Sequence, residues 1–451
     1  MSIQPARRIA YEVLRAVRAD DAYANLLLPS LLAEARLSPA DAALATELAY
    51  GTLRKLGYYD RVLSLVVDRS LDKLDPEVLD ALRLGAHQLL SMRIAAHAAV
   101  SESVALVASA GKGSAKGFAN GVLRTLTRST PQQWRERVLA GHTGDDALAI
   151  EYAHPGWVVA AFRDALAADG RDGELEALLA ADNEAPHVSL VALPGLATVD
   201  EVGEPGGVSP IGARSPGGDP AGNPVVASGR ARVQDEGSQL AALALTRARP
   251  VASGERWLDL CAGPGGKAAV LAAEAALGGA TLLSNELVPT RARLVRNALK
   301  VFRPSPEVVE GDGIRFATET PESFDRILLD APCTGLGALR RRPEARWRKQ
   351  PADVVDLVRL QTTLLDAAVA ALKPGGILAY VVCSPHLDET RKMVNDVLER
   401  HPNLEAIDTP TVLAKVATRD LGLPGHASAQ LWPQVHGTDA MFIQLMAKVA
   451  T

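Results

Sequence analysis

Two cysteines follow apolar runs of the kind that form buried strands: Ile327-Leu328-Leu329-Asp330-Ala331-Pro332-Cys333 and Ile377-Leu378-Ala379-Tyr380-Val381-Val382-Cys383. Such runs mark strands covered on both faces, as in a parallel α/β sheet, where ligand chemistry lies beyond the carboxyl ends. Two thiols 50 residues apart are therefore expected in one crevice. All three cysteines fall between Cys261 and Cys383, which is not the disulfide framework of a secreted protein. A lone buried cysteine is usually a small hydrophobe in a core. Paired strand ends and the adjoining Asp330-Ala331-Pro332-Cys333 turn the expectation toward covalent catalysis by reduced thiols.

A binding site for a reactant precedes them. Leu258-Asp259-Leu260 runs into Cys261-Ala262-Gly263-Pro264-Gly265-Gly266-Lys267 and then an Ala-rich helix. Strand, glycine-rich turn and helix present free backbone N–H groups to a ligand, and glycine permits close approach. The spacing is neither the G-x-G-x-x-G of dinucleotide enzymes nor the G-x-x-x-x-G-K-[ST] of nucleotide triphosphatases. Glu286 ends the next strand, where a carboxylate can accept both ribose hydroxyls. Asp312, in Gly311-Asp312-Gly313, follows the third, within reach of an adenine amino group. One acid at a strand end is most often a cap; three successive strand ends carrying a glycine-rich turn, an acid and another acid describe S-adenosylmethionine.

The thiols then suit one reaction. C5 of a pyrimidine is a poor nucleophile, and a thiolate added to C6 makes it enolate-like and able to take a methyl group. The C5 proton must leave before the thiol is eliminated. Asp330 can hydrogen-bond ring N3 and stabilise the activated base. Cys261 lacks such a setting and reads as structural apart from its backbone. Residue chemistry alone leaves open which of Cys333 and Cys383 attacks.

Asp259 to Lys267, Leu329-Asp330-Ala331-Pro332-Cys333 and Cys383-Ser384 resemble the motifs of the Nop/Sun (Fmu) family of RNA cytosine-5 methyltransferases. Tyr50-Gly51-Thr52-Leu53-Arg54 and Phe118-Ala119-Asn120-Gly121-Val122-Leu123-Arg124 are similar to the NusB-like N-terminal domain of its bacterial 16S ribosomal RNA type. Val233 to Gln239 and Leu431 to Asp439 also match, so the likeness spans nearly the whole chain. The resemblance implies that Cys383 attacks C6 and Cys333 assists elimination, the reverse of DNA cytosine methyltransferases. It places S-adenosylmethionine on residues 261–267, Glu286, Asp312 and Asp330. Gly263 stands where the family has alanine, a tolerable change in a turn, and Val382 where it has threonine.

The positioning elements follow from periodicity and composition. Residues 1–140 read as an all-α domain; Ile9, Val13, Leu14 and Val17 recur at helical spacing, as do Leu44, Leu48 and Leu53. Residues 141–240 read as a middle subdomain whose Gly/Pro-rich stretch 201–224 is a long loop. Strands and helices alternate over 241–451, which predicts a doubly wound α/β Rossmann-like methyltransferase domain.

The 451 residues carry a net charge of −5, against indiscriminate nucleic-acid binding but compatible with a local basic surface. Arg340-Arg341-Arg342-Pro343-Glu344-Ala345-Arg346-Trp347-Arg348-Lys349 is the candidate phosphate contact, with Arg7, Arg8, Arg54 and Lys55 as weaker ones. Neither a signal-peptide core beginning Met1-Ser2 nor an 18-residue apolar span is present, so a cytoplasmic protein is expected. The nine histidines lack metal-ligand spacing; His386 reads as a cap. The leading expectation is methylation of 16S ribosomal RNA. The rivals are transfer RNA methylation, a NusB-like binding module with an inactive methyltransferase domain, and an exocyclic-amine methyltransferase, which would want Pro-Pro-Tyr/Phe after Asp330.

Overall fold

The computed structural model describes residues 3–449; Met1, Ser2, Ala450 and Thr451, including the first two residues of the N-terminal segment read above, lie outside it. The chain divides into two compact units.

The first unit comprises residues up to Ala160, with Leu175–Ala185 and Leu339–Arg348, and is helical. Its helices start where sequence chemistry says they should. Ser38, Asp75 and Thr130 each accept a first-turn amide, and Pro39, Pro76 and Pro131 follow them at the first helical position. The helix Pro5–Ala19 buries Ile9, Val13, Leu14 and Val17 on one face, against a core that includes Leu48 and Leu53.

The arginine run belongs to this unit, and its centre is not a phosphate surface. Arg346 is fully buried; it donates to the main-chain oxygens of Arg54 (2.8 Å) and Asp182 (2.7 Å) and to Asn183 Oδ1 (2.7 Å). Burial brings its pKa down to about 10 and pushes the neighbouring Asp182 carboxyl up to about 7. Arg348 binds the carbonyls of Val17 and Ala22, both at 2.7 Å. Arg340 is buried too, as are Arg7 and Arg54 among the weaker candidates. Guanidinium groups with five donors tie off carbonyls at helix ends, a use that sequence does not distinguish from phosphate binding. Of the four weaker candidates only Arg8 is exposed. Arg346→Met should lower the stability of the helical unit by about 3 kcal/mol, measured by chemical denaturation, since it strands several buried carbonyls and Asp182. A phosphate contact would leave unfolding unchanged.

The second unit comprises Ala161–Glu174, Pro186–Ala338 and residues from Lys349 onward. It opens with an antiparallel sheet in the order Glu204–Pro205, Gly212–Arg214, Ser189–Ala192, Ala231–Val233. The stretch 201–224 is thus not one long loop. The buried Glu236 carboxylate organises it, accepting the amides of Gly207 (2.9 Å), Val208 (2.7 Å) and Ser209 (2.8 Å). Its order is imposed from a later helix, so local Gly/Pro content misleads.

The main sheet holds β1 (Arg256–Asp259), β2 (Thr281–Glu286), β3 (Glu307–Glu310), β4 (Phe324–Asp330), β5 (Leu372–Val382), β6 (Leu404–Ile407) and β7 (Phe442–Lys448). Their order is β6-β7-β5-β4-β1-β2-β3, with the two-residue strand Ala429–Gln430 beside β7. β1 to β5 all run parallel, and β7 runs antiparallel between β5 and β6. The apolar runs of β4 and β5 are buried on both faces, and the Rossmann-like expectation holds. β6 carries no clear strand signal in sequence, because Leu404-Glu405-Ala406-Ile407 is short and partly exposed. Among the described residues no helix is long and apolar enough to cross a membrane.

Candidate active site

β1, β4 and β5 lie side by side, so the loops that leave their carboxyl ends share one edge of the sheet. Strand order reverses between β1 and β4, the place where open α/β sheets bind ligands. β4 and β5 pair with Asp330 opposite Val381, and the Ala331 amide donates to the Val381 carbonyl at 2.9 Å. That register delivers the two thiols together: Cys333 Sγ lies 3.5 Å from Cys383 Sγ. The Gly337 amide donates to the Cys383 carbonyl at 2.9 Å, and a Cβ at Gly337 would stand 2.0 Å from the Ala440 oxygen. Only glycine fits there.

The Cys333 thiol is held well above its usual range by its hydrogen bond to Cys383, by burial, and by the charges of Cys383 and Glu389. Its proton therefore stays on sulfur, beside Cys383. Lys267 Nζ donates to Asp330 Oδ2 at 2.9 Å. Burial disfavours that ammonium, yet Asp330, with the charges of Cys383 and Asp259, keeps its pKa above the usual value.

The glycine-rich turn is built as its composition implies. Gly265 has φ +102°, and a Cβ on it would lie 2.7 Å from the Ala298 Cβ, so the turn packs against the helix Pro289–Leu299 only with glycine. The helix Gly266–Gly278 then begins with its amino end facing the site. Glu286 is buried; its Oε2 accepts the Gly263 amide at 2.9 Å and its Oε1 the Val288 amide at 3.0 Å. A Cβ at Gly263 would stand 2.2 Å from Glu286 Oε2, so the glycine in place of the family's alanine leaves room for this carboxylate to reach the turn. Cys261 is partly buried, and burial plus the carboxylates of Asp259, Asp330 and Glu286 push its thiol pKa up. Asp312 is exposed and its Oδ1 accepts the Ile314 amide at 3.0 Å, so one of its oxygens serves as a cap. His386 caps the turn Leu387–Glu389 through the Asp388 amide at 3.2 Å.

Asp259 carries more information than its sequence position offered. It is 1 % exposed, and the nearby Cys261 amide completes no hydrogen bond to either oxygen. Burial, then the charges of Asp330 and Glu286, hold its carboxyl well above the usual range. Three carboxylates around a glycine-rich turn, one of them without a hydrogen-bonding partner, fit a cationic ligand. S-adenosylmethionine bears positive charge on both sulfonium and ammonium, and so fits. Residues 261–267, Glu286, Asp312 and Asp330 are the groups that would hold it, with the buried Asp259 adding its charge.

A second network escaped sequence reasoning. The fully buried Glu389 joins Thr334, Ser384 and Gln361, all of them buried. Its only signal was an acid six residues after Cys383, which is indistinguishable from a helix-start carboxylate. Among the described residues no group of three or more His, Cys, Asp or Glu side chains could hold a metal ion.

The 16S rRNA methyltransferase RsmB/F family matches residues 248–447, and the NusB family matches residues 4–128. The Mycobacterium tuberculosis protein Rv1407 is 48% identical, over 99% of this chain and 97% of its own. Ribosomal RNA small subunit methyltransferase B of Erwinia tasmaniensis is 30% identical over 98% of both. The chain belongs to the RsmB/F family. It is thus a methyltransferase of RNA with a NusB domain at its N-terminus. The crystal structure of PH0851 shares the fold, at a TM-score of 0.80 and 22% identity, covering 99% of this chain and 100% of that one.

The Asp259 carboxyl has a pH signature. Its folded pKa lies above the unfolded one, so the unfolded chain ionises first and stability falls as pH rises from about 4 toward the folded pKa. Asp259→Asn removes that loss. The unfolding temperature of the ligand-free variant should gain on the parent between pH 5 and pH 8. S-adenosylmethionine, a cation, should bind the parent more tightly as pH rises and bind the variant weakly and without that slope, measured by calorimetry.

Proposed function

We propose that this RsmB/F family member methylates C5 of a cytosine in small-subunit ribosomal RNA through a covalent adduct on Cys383. The contact of Cys333 Sγ with Cys383 Sγ at 3.5 Å, next to the Lys267–Asp330 pair, is the observation that carries the proposal. The target base is splayed from the RNA into the crevice. Cys383 thiolate forms a bond to C6, and the ring electrons move toward C5 and N3. Asp330, paired with Lys267, is assigned the hydrogen bond to the Watson–Crick edge that offsets that charge. S-adenosylmethionine, when bound, supplies an electrophilic methyl group. After C5 is methylated its proton leaves to a base, the C6–S bond breaks, and the electron pair restores the C5–C6 double bond. Cys333, which keeps its proton beside Cys383, hydrogen-bonds the departing thiolate.

The small-subunit assignment is supported by the Erwinia relative, a ribosomal RNA small subunit methyltransferase B of nearly equal length. Residues 1–140 are assigned the holding of RNA, with Arg8 exposed for it, residues 141–240 the link, and residues 241–451 the chemistry.

Cys383→Ala should abolish both methyl transfer to a small-subunit RNA and the covalent species. Cys333→Ala should transfer methyl groups poorly, with a drop of about 10²-fold or more, and accumulate a protein–RNA band on a denaturing gel. The opposite pattern would exchange the roles of the thiols. A fully active Cys383→Ala enzyme would end the proposal.

A further inference from the structure

Glu389 has no part in the steps above, yet it touches the loops of both thiols. Its carboxylate accepts from the Thr334 amide (2.7 Å), the Thr334 hydroxyl (2.5 Å), the Ser384 hydroxyl (2.6 Å) and Gln361 Nε2 (3.2 Å). Thr334 directly follows Cys333 and Ser384 directly follows Cys383. Gln361 Nε2 also donates to the Pro332 carbonyl at 2.8 Å, so the residues on both sides of Cys333 are tied to one cluster. The Tyr380 hydroxyl lies 2.7 Å from the Glu389 main-chain oxygen and 3.1 Å from Gln361 Oε1, fixing the acid from β5 below. All five side chains are buried, at 2 % exposure or less.

Burying a carboxylate here is expensive unless each lone pair is used, and four donors use them. Elsewhere in a core an apolar side chain would fill the same volume without that demand. The donors are not scattered: three of the four come from the residues immediately after the two thiols. We propose that Glu389 is a positioning residue, whose carboxylate clasps the loops after Cys333 and Cys383 and so holds the two sulfurs within one hydrogen bond of each other. The clasp itself follows from the geometry; its consequence for turnover rests on the covalent reading above. The charge of Glu389 also helps keep the proton on Cys333, while Lys267 places positive charge in the field of Cys383. One carboxylate thus sets distance and also separates the roles of two chemically equal groups.

The test reads thiol placement apart from methylation. Diamide takes two electrons and two protons from a thiol pair as one S–S bond forms, and peptide mapping identifies a Cys333–Cys383 link. The full-length wild-type protein should form that link at least tenfold faster than Glu389→Gln, with Glu389→Asp recovering part of the rate. In methyl transfer to small-subunit RNA, Glu389→Gln should lose about 10²-fold in kcat, with KM for S-adenosylmethionine within about threefold. Ser384→Ala, which removes one donor and keeps the acid, should slow linkage about threefold to tenfold and serves if Glu389→Gln fails to fold. Wild-type linkage rates in Glu389→Gln would overturn the clasp, even if kcat fell. So would wild-type linkage in Ser384→Ala where Glu389→Gln is unfolded. Slowed linkage in Glu389→Gln, together with a wild-type protein that methylates no cytosine, would leave the clasp standing and remove the covalent reading instead.

Discussion

The register between β4 and β5 is the constraint on which the candidate site depends. Parallel pairing sets Asp330 against Val381, and from there three residues of β4 loop and two of β5 bring the sulfurs to 3.5 Å. A slip of one residue would turn each side chain to the other face of the sheet and separate the thiols. Because both strands are apolar on both faces, hydrophobic pattern alone does not set this register; the ladder itself and the Ala331 amide on the Val381 carbonyl hold it. The Gly337 amide on the Cys383 carbonyl then fixes the loop at its far end.

Around that constraint the site concentrates negative charge without matching it fully. Asp330 is paired with Lys267, and Glu286 spends both oxygens on backbone amides, but the buried oxygens of Asp259 have no hydrogen-bonding partner. Such an arrangement is costly when empty and favours a cation when filled. On the proposed reading, part of the selectivity for a positively charged methyl donor lies in the carboxyl ends of β1, β2 and β4. The glycine-rich turn contributes shape more than charge, because Gly265 and Gly263 leave space that a Cβ would close.

Much of this was legible in sequence, for a physical reason. Buried parallel strands are continuous apolar runs, so their ends can be located to within a residue, and chemistry-bearing side chains at those ends are then neighbours. Cys333, Cys383, Asp330, Lys267 and Glu286 were placed by that logic. What could not be read were groups whose role is set by distant partners. Arg346 looks like a phosphate ligand until the carbonyls of Arg54 and Asp182 are seen around it. The Gly/Pro-rich stretch 201–224 looks unstructured until Glu236 gathers its amides. Glu389 and Asp259 look like ordinary strand-end or helix-start acids, and only burial shows what each one lacks or holds.

The central claim is that Cys383 makes the bond to the base. The most direct measurement uses small-subunit RNA carrying 5-fluorocytosine, whose C5 fluorine cannot leave as a proton does and so arrests the adduct after methylation. With S-adenosylmethionine present, mass spectrometry of the digested complex should find the nucleotide on the peptide that contains Cys383. A nucleotide on the Cys333 peptide, or methylation that leaves no trapped protein, would contradict the account.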